Sequence, residues 1–361
     1  MRIALSTGGG DAPGLNAVIR AAVLGALGRG WAVYGIRRGY GGLLGTDKVV
    51  ALDADSVRGI THLGGTILGT TNRGDPFGWR ETRPDGTIVD MGDRSDELLA
   101  AFSAHGFDAL ITIGGDGSLR IAQKLFAKGL PVIGVPKTID NDVAGTVMTF
   151  GFDTAVSTAT DAIDKLHSTA ESHDRVMVVE VMGRYAGWIA LNAGISSGAD
   201  VILIPEIPFD IEKVCAKIMD REARGRRFSI VVVAEGAIPL GGHRVLKGAA
   251  SAGGGMEQLG GIAQQVADAV GQRTGKETRA LTLGHLQRGG SPTTFDRLLS
   301  LRFGAAAVRC VAAKQFGVMV ALQPPIVTAV PFSEALGAPR IVPLDSDTIM
   351  TARDTGVCLG D

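Results

Sequence analysis

Short apolar runs rich in β-branched residues recur along the chain and alternate with stretches whose apolar positions repeat at helical spacing. The runs "RIALS", "WAVYGI", "DALITIG", "PVIGV", "VMVVEVM", "VILIPE" and "FSIVVVAEG" read as strands buried on both faces. Between them, Asn16 to Leu27, Ser118 to Lys128, Thr154 to His167 and Gly187 to Gly194 read as helices, with Ser118 placed to cap the second. This alternation predicts an α/β fold with mainly parallel sheets flanked by helices. In such folds ligands bind beyond the carboxyl ends of the strands. The segment from 240 to 261, "LGGHRVLKGAASAGGGMEQLGG", is glycine-rich without apolar periodicity and reads as a loop before the helix "IAQQVADAVGQR".

Composition narrows the class. The 361 residues suffice for two domains of ordinary size. A net charge of −1 supplies no global field for nucleic acid or an anionic membrane, so neither is an expected partner. Cys215, Cys310 and Cys358 are scattered without CxxC spacing, which fits a reducing compartment rather than a zinc site or a disulfide framework. Met1 to Leu5 enters a strand-like run without a leader pattern, and no apolar stretch reaches the length of a membrane span; a cytoplasmic protein is expected. The 52 glycines are about twice the usual share and gather at the ends of apolar runs, where backbone must approach a ligand closely.

The chemistry lies at those run ends. In "STGGGDAPGLNAVIR" three glycines precede a helix, and amides at a helix N-terminus attract an anion, phosphate above all. The pattern is neither GxGxxG nor GxxxxGK[ST]. "LITIGGDGSLRIAQ" repeats the device with Gly114, Gly115, Asp116, Gly117 and Ser118. A carboxylate at a phosphate turn makes sense with a cation between them, so Asp116 is a candidate Mg²⁺ ligand. "GVPKTIDND" ends a buried strand in Lys137, Thr138, Asp140 and Asp142, and phosphoryl transfer to a hydroxyl needs such a base and such a cation. Arg175, Arg184, Arg279, His285 and Arg288 stand near further run ends, where forked arginine donors suit phosphate oxygens. Taken one at a time, a tight structural turn or an Asx-turn is the plain alternative for each glycine loop, and a surface charge is the commoner reading of each arginine.

Together and in this order, "GGGDAPGLNAVIR", "GGDGS", "PKTIDND", "EVMGRYAGW" and "LGHLQRGGSP" resemble the 6-phosphofructokinase family. The resemblance spans nearly the whole chain and is weakest from about residue 312 onward. It implies a two-domain phosphofructokinase-like fold: a nucleotide domain of residues 1–151 plus about 288–337, and a sugar-phosphate domain of residues 152–287 plus about 338–361. The active site of the family lies between the two. It implies Asp140 as the base for the 1-hydroxyl of fructose 6-phosphate, supported by Asp142 and Thr138, with Arg184 steadying the transferred phosphoryl group. Gly10, Gly115, Gly117, Ser118 and Lys137 would line the donor site, Asp116 would hold Mg²⁺, and Tyr40 and Arg73 would lie near the nucleotide. The family's usual arginine falls instead on Asn72. Met182, Gly183, Glu235, His285 and Arg288 resemble the sugar-phosphate ligands, and Arg175 and Arg279 the arginines lent by a neighbouring subunit in a homotetramer or homodimer. At the family's effector site, arginine positions fall on Leu24, Ala54 and His167, while Arg20, Arg224 and Arg226 keep their charge.

Two positions bear on the phosphoryl donor. Gly117 leaves open the space that an aspartate fills in pyrophosphate-using members, which favours ATP as co-substrate; Lys137 is shared with the pyrophosphate users, and pyrophosphate is the alternative. A non-catalytic regulatory paralogue is a further reading, opposed by the presence of Asp116, Asp140, Asp142 and Arg184. Lipid-kinase-like relatives with GGDGT loops lack the "PKTIDND" and "GHLQRGG" runs found here.

Overall fold

A computed structural model of the protein describes residues 1–83, 85–248 and 258–361. The chain begins with β1 (Arg2–Thr7), α1 (Leu15–Leu27), β2 (Ala32–Ile36) and β3 (Val49–Leu52). A hairpin of β4 (Trp79–Thr82) and β5 (Ile88–Gly92) leads to α2 (Ser95–Ala104), β6 (Ala109–Gly114), α3 (Asp116–Ala127) and β7 (Val132–Pro136). Then follow α4 (Phe152–Ser172), β8 (Val176–Val181), α5 (Trp188–Ser196), β9 (Val201–Leu203), α6 (Ile211–Ala223) and β10 (Ser229–Ala234). The last part holds β11 (Leu246–Gly248), β12 (Gln258–Leu259), α7 (Ile262–Thr274), β13 (Thr278–Thr282), α8 (Thr294–Ala312), β14 (Val318–Gln323), β15 (Ile326–Pro331), α9 (Phe332–Ala335) and α10 (Asp347–Asp354). The chain divides into two compact units, residues 1–154 with 288–339 and residues 155–287 with 340–361.

The first unit is built on a sheet in the order β15-β14-β7-β6-β1-β2-β3, parallel except for the antiparallel edges β3 and β15. Its centre is apolar on both faces because helices cover both. Ile3, Leu5, Ile111 and Ile113 pack with α1 and α8, while the alternating Ala4 and Leu110 pack with α2 and α3. A Cβ on Gly304 of α8 would stand 2.4 Å from the Val18 carbonyl oxygen of α1, so glycine at this crossing is what lets the two helices approach. The second unit carries a parallel sheet, β13-β8-β10-β9, with α6 and α7 closing an apolar layer over Val176, Val178, Val231 and Val233.

Each apolar run named from the sequence contains a strand. The helix expected from Thr154 is longer, from Phe152 to Ser172. The region read as loop from 240 to 261 contains the antiparallel pair β11 and β12, while residues 249–257 of that reading lie outside the described residues. Ser118 does not cap α3. Gly115 holds the N-cap position, with no side-chain cap bond, and Ser118 sits inside the first turn. Its hydroxyl is instead wedged against two glycine turns: a Cβ on Gly8 would come within 2.7 Å of Oγ, and one on Gly114 within 2.5 Å. Among the described residues no helix is long and apolar enough to cross a membrane.

Candidate active site

In the first unit β1, β6 and β7 are adjacent and parallel, so the loops leaving their carboxyl ends are neighbours. That places the 8–14 glycine loop, the Gly115 turn and the 137–151 loop side by side. Gly8 N donates to the Ile113 carbonyl at 3.0 Å, Gly9 N to that of Thr71 at 3.0 Å, and Lys137 N to that of Gly114 at 2.9 Å. α3 starts immediately beyond Gly115 with Asp116 in its first turn, so its free amides open onto the same edge.

Lys137 and Arg288 bring positive charge to the glycine loop. Lys137 is buried, and its ammonium donates to the Gly10 carbonyl. The Arg288 guanidinium donates to the Asp11 carbonyl at 3.2 Å, and a Cβ on Gly10 would lie 2.9 Å from its Nη1. Burial pushes the Lys137 ammonium down to about 8 and Arg288 pushes in the same direction, against Asp11, Asp140 and Asp142. An ammonium with a pKa near 8 stays mainly protonated at pH 7. Two cations on a loop of half-buried glycines form a cradle for a polyanion.

Next to it, the 138–142 turn is fixed from within. Asp140 and Asn141 are buried, and Asn141 takes a φ of 53°, which asparagine tolerates better than most residues. Asp140 N donates to Thr138 Oγ1 at 3.1 Å, Thr149 N to Asn141 Oδ1 at 3.0 Å, and Thr149 Oγ1 to the Thr138 carbonyl at 2.8 Å. Asp140 is thereby held close enough to Lys137 to raise its affinity for a proton. Asp116 pairs with Arg120 at 2.8 Å, and both side chains are partly exposed, so a cation would displace only a weak surface ion pair.

Gly117 is exposed, and a Cβ there would meet no atom within 4 Å, so the fold does not require glycine at this position. Arg73 is exposed, with its backbone N–H on Thr71 Oγ1. Tyr40 is not an open stacking surface: it is 5% exposed within the apolar cluster around Leu43 and Trp79, and burial pushes its hydroxyl up to about 12.

In the second unit Met182, Gly183 and Arg184 follow the carboxyl end of β8, Glu235 follows β10, and His285 lies in a short 3₁₀ turn, Gly284–Arg288, after β13. Arg184 adopts a φ of 50°, and its N–H donates to Glu235 Oε1 at 3.1 Å. The Arg184 carbonyl lies so close to Gly236 that a Cβ there would overlap it. Such backbone strain in a non-glycine residue persists only where its surroundings enforce it. Met182 N donates to Oε1 of the fully buried Gln287 at 3.3 Å, and Glu206 accepts from Gly187 N, at the start of α5. Gln287 and Glu206 were not among the residues singled out from sequence; a lone amide or carboxylate has no periodicity to reveal it.

Arg175 and Arg279 stand elsewhere. Arg175 precedes β8, Arg279 pairs with Met177 near the start of that strand, and both contact Glu277. A strand of six residues spans about 20 Å, so they occupy the opposite end of the sheet from Met182 and His285. Among the described residues no group of three or more His, Cys, Asp or Glu side chains is gathered as a metal site.

Residues 2–311 match the phosphofructokinase family model. The chain is 53% identical over 360 residues to an ATP-dependent 6-phosphofructokinase of Chloroflexus aurantiacus, covering 100% of this chain and 98% of the relative. It is 49% identical over 344 residues to a pyrophosphate–fructose 6-phosphate 1-phosphotransferase of Amycolatopsis methanolica, covering 95% and 96%. Its backbone is similar to that of Pichia pastoris phosphofructokinase in the T-state, with a TM-score of 0.79 and 30% identity. That match covers 98% of this chain but only 36% of the yeast chain, so the protein spans about a third of that relative's length.

Proposed function

The chain belongs to the phosphofructokinase family, and on that premise we propose that it transfers the terminal phosphoryl group of ATP to the 1-hydroxyl of fructose 6-phosphate, giving fructose 1,6-bisphosphate. The observation that carries this reading is the juxtaposition of a two-cation glycine cradle, Lys137 and Arg288 on Gly10 and Asp11, with the buried Asp140. The glycine-loop amides, Gly115, Ser118 and Lys137 hold the donor phosphates, and Asp140 takes the hydroxyl proton with Thr138 and Asp142 setting its place. Asp116 fits a Mg²⁺ that arrives with the polyphosphate, since Mg²⁺ is commonly held by one or two carboxylates plus the phosphates themselves. Bound there, the ion would supply charge neutralisation for the equatorial oxygens.

The first unit serves the donor and also carries Arg288; the second carries the remaining sugar-phosphate residues. Arg184, held in its strained backbone by Glu235, steadies the transferring group, and Met182, Gly183, His285 and Arg288 contact the sugar phosphate. Arg175 and Arg279 lie a strand length away on their own chain, which supports their acting in the site of a neighbouring copy, in a homotetramer or homodimer. Tyr40 supports the nucleotide region from the core, and Arg73 is placed to reach it from solvent. A cytoplasmic setting suits a glycolytic kinase of this kind.

Pyrophosphate as donor is the second reading, favoured by Lys137 and by the likeness to the Amycolatopsis enzyme. Purified protein assayed with fructose 6-phosphate, Mg²⁺ and either ATP or pyrophosphate decides between them. ATP is expected to support the higher kcat/KM; bisphosphate formed only from pyrophosphate overturns the donor, and none from either overturns the function.

A further inference from the structure

Asp296 lies in the first turn of α8, fully buried, and the proposed transfer chemistry makes no use of it. Its Oδ2 accepts from Thr154 N at 2.8 Å and from Thr154 Oγ1 at 2.6 Å. Thr154 Oγ1 in turn accepts from Thr293 N at 3.0 Å, and Thr293 Oγ1 accepts from Asp296 N at 3.2 Å while donating to Asp153 Oδ2 at 2.6 Å. This closed ring fastens the N-terminus of α4 to that of α8.

An ordinary helix cap would need no buried carboxylate from another helix; threonine or asparagine suffices. Here the carboxylate holds the far end of a strap. Residues 149–154 are tied at their beginning to the 138–142 turn, through Thr149 to Thr138 and Asn141, and Phe150 forms a parallel bridge with Lys137. Gly151, at φ 97°, leaves room for only a hydrogen beside Ala12 of the glycine loop, where a Cβ would come within 2.7 Å. One turn beyond Asp296, Ser300 Oγ abuts Gly14, where a Cβ would come within 2.4 Å. The strap therefore touches the glycine loop and the Asp140 turn, and at its far end it is held by Thr293 and by Asp296, which takes both Thr154 donors.

We propose that Asp296 is a positioning residue for phosphoryl transfer: by gripping Thr154 it sets the strap, and through the strap the place of Asp140 relative to the glycine loop. The inference rests on the reading of Asp140 as the base, but its structural half does not. Displacement of a reacting group by about 1 Å costs on the order of 10²-fold in rate, whereas the substrate contacts elsewhere would remain.

The test compares Asp296→Ala, Asp296→Asn and Thr154→Val in the purified 361-residue protein. Asp296→Ala is expected to lower kcat about 10- to 100-fold with each KM within about threefold, and to raise amide hydrogen exchange in residues 138–151 while the rest of the first unit is unchanged. Asp296→Asn keeps an acceptor for Thr154 and should restore kcat to within about threefold of wild type; Thr154→Val, which loses the hydroxyl alone, should fall between. If Asp296→Ala does not fold, Thr154→Val carries the test with the same two readouts. Unchanged exchange at 138–151, kcat within twofold of wild type, or a loss that Asp296→Asn fails to restore overturns the proposal. Raised exchange in an enzyme whose Asp140→Ala variant keeps full turnover would instead overturn the assignment of the base, leaving the strap in place.

Discussion

Replacing Gly117 by aspartate separates what this position does for the fold from what it does for the donor. Gly117 is the second residue of α3, its backbone is not in the left-handed region, and an added Cβ has nothing to strike. For the fold alone Gly117→Asp is favourable. A helix position loses its glycine penalty, worth a few tenths of a kcal/mol against aspartate, and a carboxylate in the first turn gains about 0.3–1 kcal/mol from the helix dipole. Toward a polyphosphate the sign reverses. A phosphate charge about 5 Å from the new carboxylate, at an effective dielectric near 40, is repelled by about 1.7 kcal/mol. That is about 20-fold in kcat/KM for one facing charge and about 300-fold for two. On the proposed reading the α-phosphate and nucleoside of ATP lie beside residue 117, so ATP should suffer most. The assay is kcat/KM for ATP and for pyrophosphate at saturating fructose 6-phosphate, at two ionic strengths, beside the urea midpoint of each protein. The expected result is a midpoint equal to or above wild type, ATP kcat/KM down about 20- to 300-fold, and a smaller loss at high salt. A folded variant whose ATP kcat/KM stays within twofold refutes the steric and electrostatic role given to Gly117.

Three further outcomes follow from the same geometry. Asp140→Ala should lose on the order of 10² or more in kcat with substrate affinities little changed, measured by steady-state kinetics and equilibrium binding; turnover near wild type would remove Asp140 from its role. Mixing inactive Asp140→Ala and Arg175→Ala chains should restore part of the activity, because hybrid oligomers contain some sites built from two intact halves; hybrids that form but stay inactive at every ratio would exclude a shared site. Burial raises the Asp296 carboxyl from its ordinary 3.8 to about 6, with Asp153 adding to the effect and hydrogen bonds from Thr154 and Gly151 opposing it. Between those values the folded protein holds a proton that the unfolded chain has released, so stability should fall as pH rises from about 4 to 6, by on the order of 3 kcal/mol. Denaturation midpoints of Asp296→Asn across that range should lack this slope, and equal slopes in the two proteins would contradict it.

The glycine runs, the "PKTIDND" turn and the apolar strands were legible in the sequence because each is local. A continuous buried strand must be apolar on both faces, and a phosphate turn must free its backbone, so both leave contiguous marks. The edge strand β13 sets polar Thr278, Arg279 and Thr282 around Ala280 and Leu281 and left no such mark, whereas β3, β14 and β15 are apolar runs that were not named as strands from the sequence. Ser118 looked like a cap because caps are recognised by position before a helix. Only the packed structure showed the helix starting earlier, with Ser118 turned onto Gly8 and Gly114. Tyr40 could be placed near a nucleotide by likeness but not seen to be buried until the core closed over it. The grip of Asp296 on Thr154 joins residues 142 apart in sequence, and Gln287 reaches Met182 across 105. The sequence determined the central strands and the glycine-rich turns that follow them, through short-range periodicity and backbone freedom. Which buried polar groups hold those turns in place was decided by tertiary structure, because a buried hydrogen-bonding group must find a partner wherever the fold brings one, and that partner has no fixed distance along the chain.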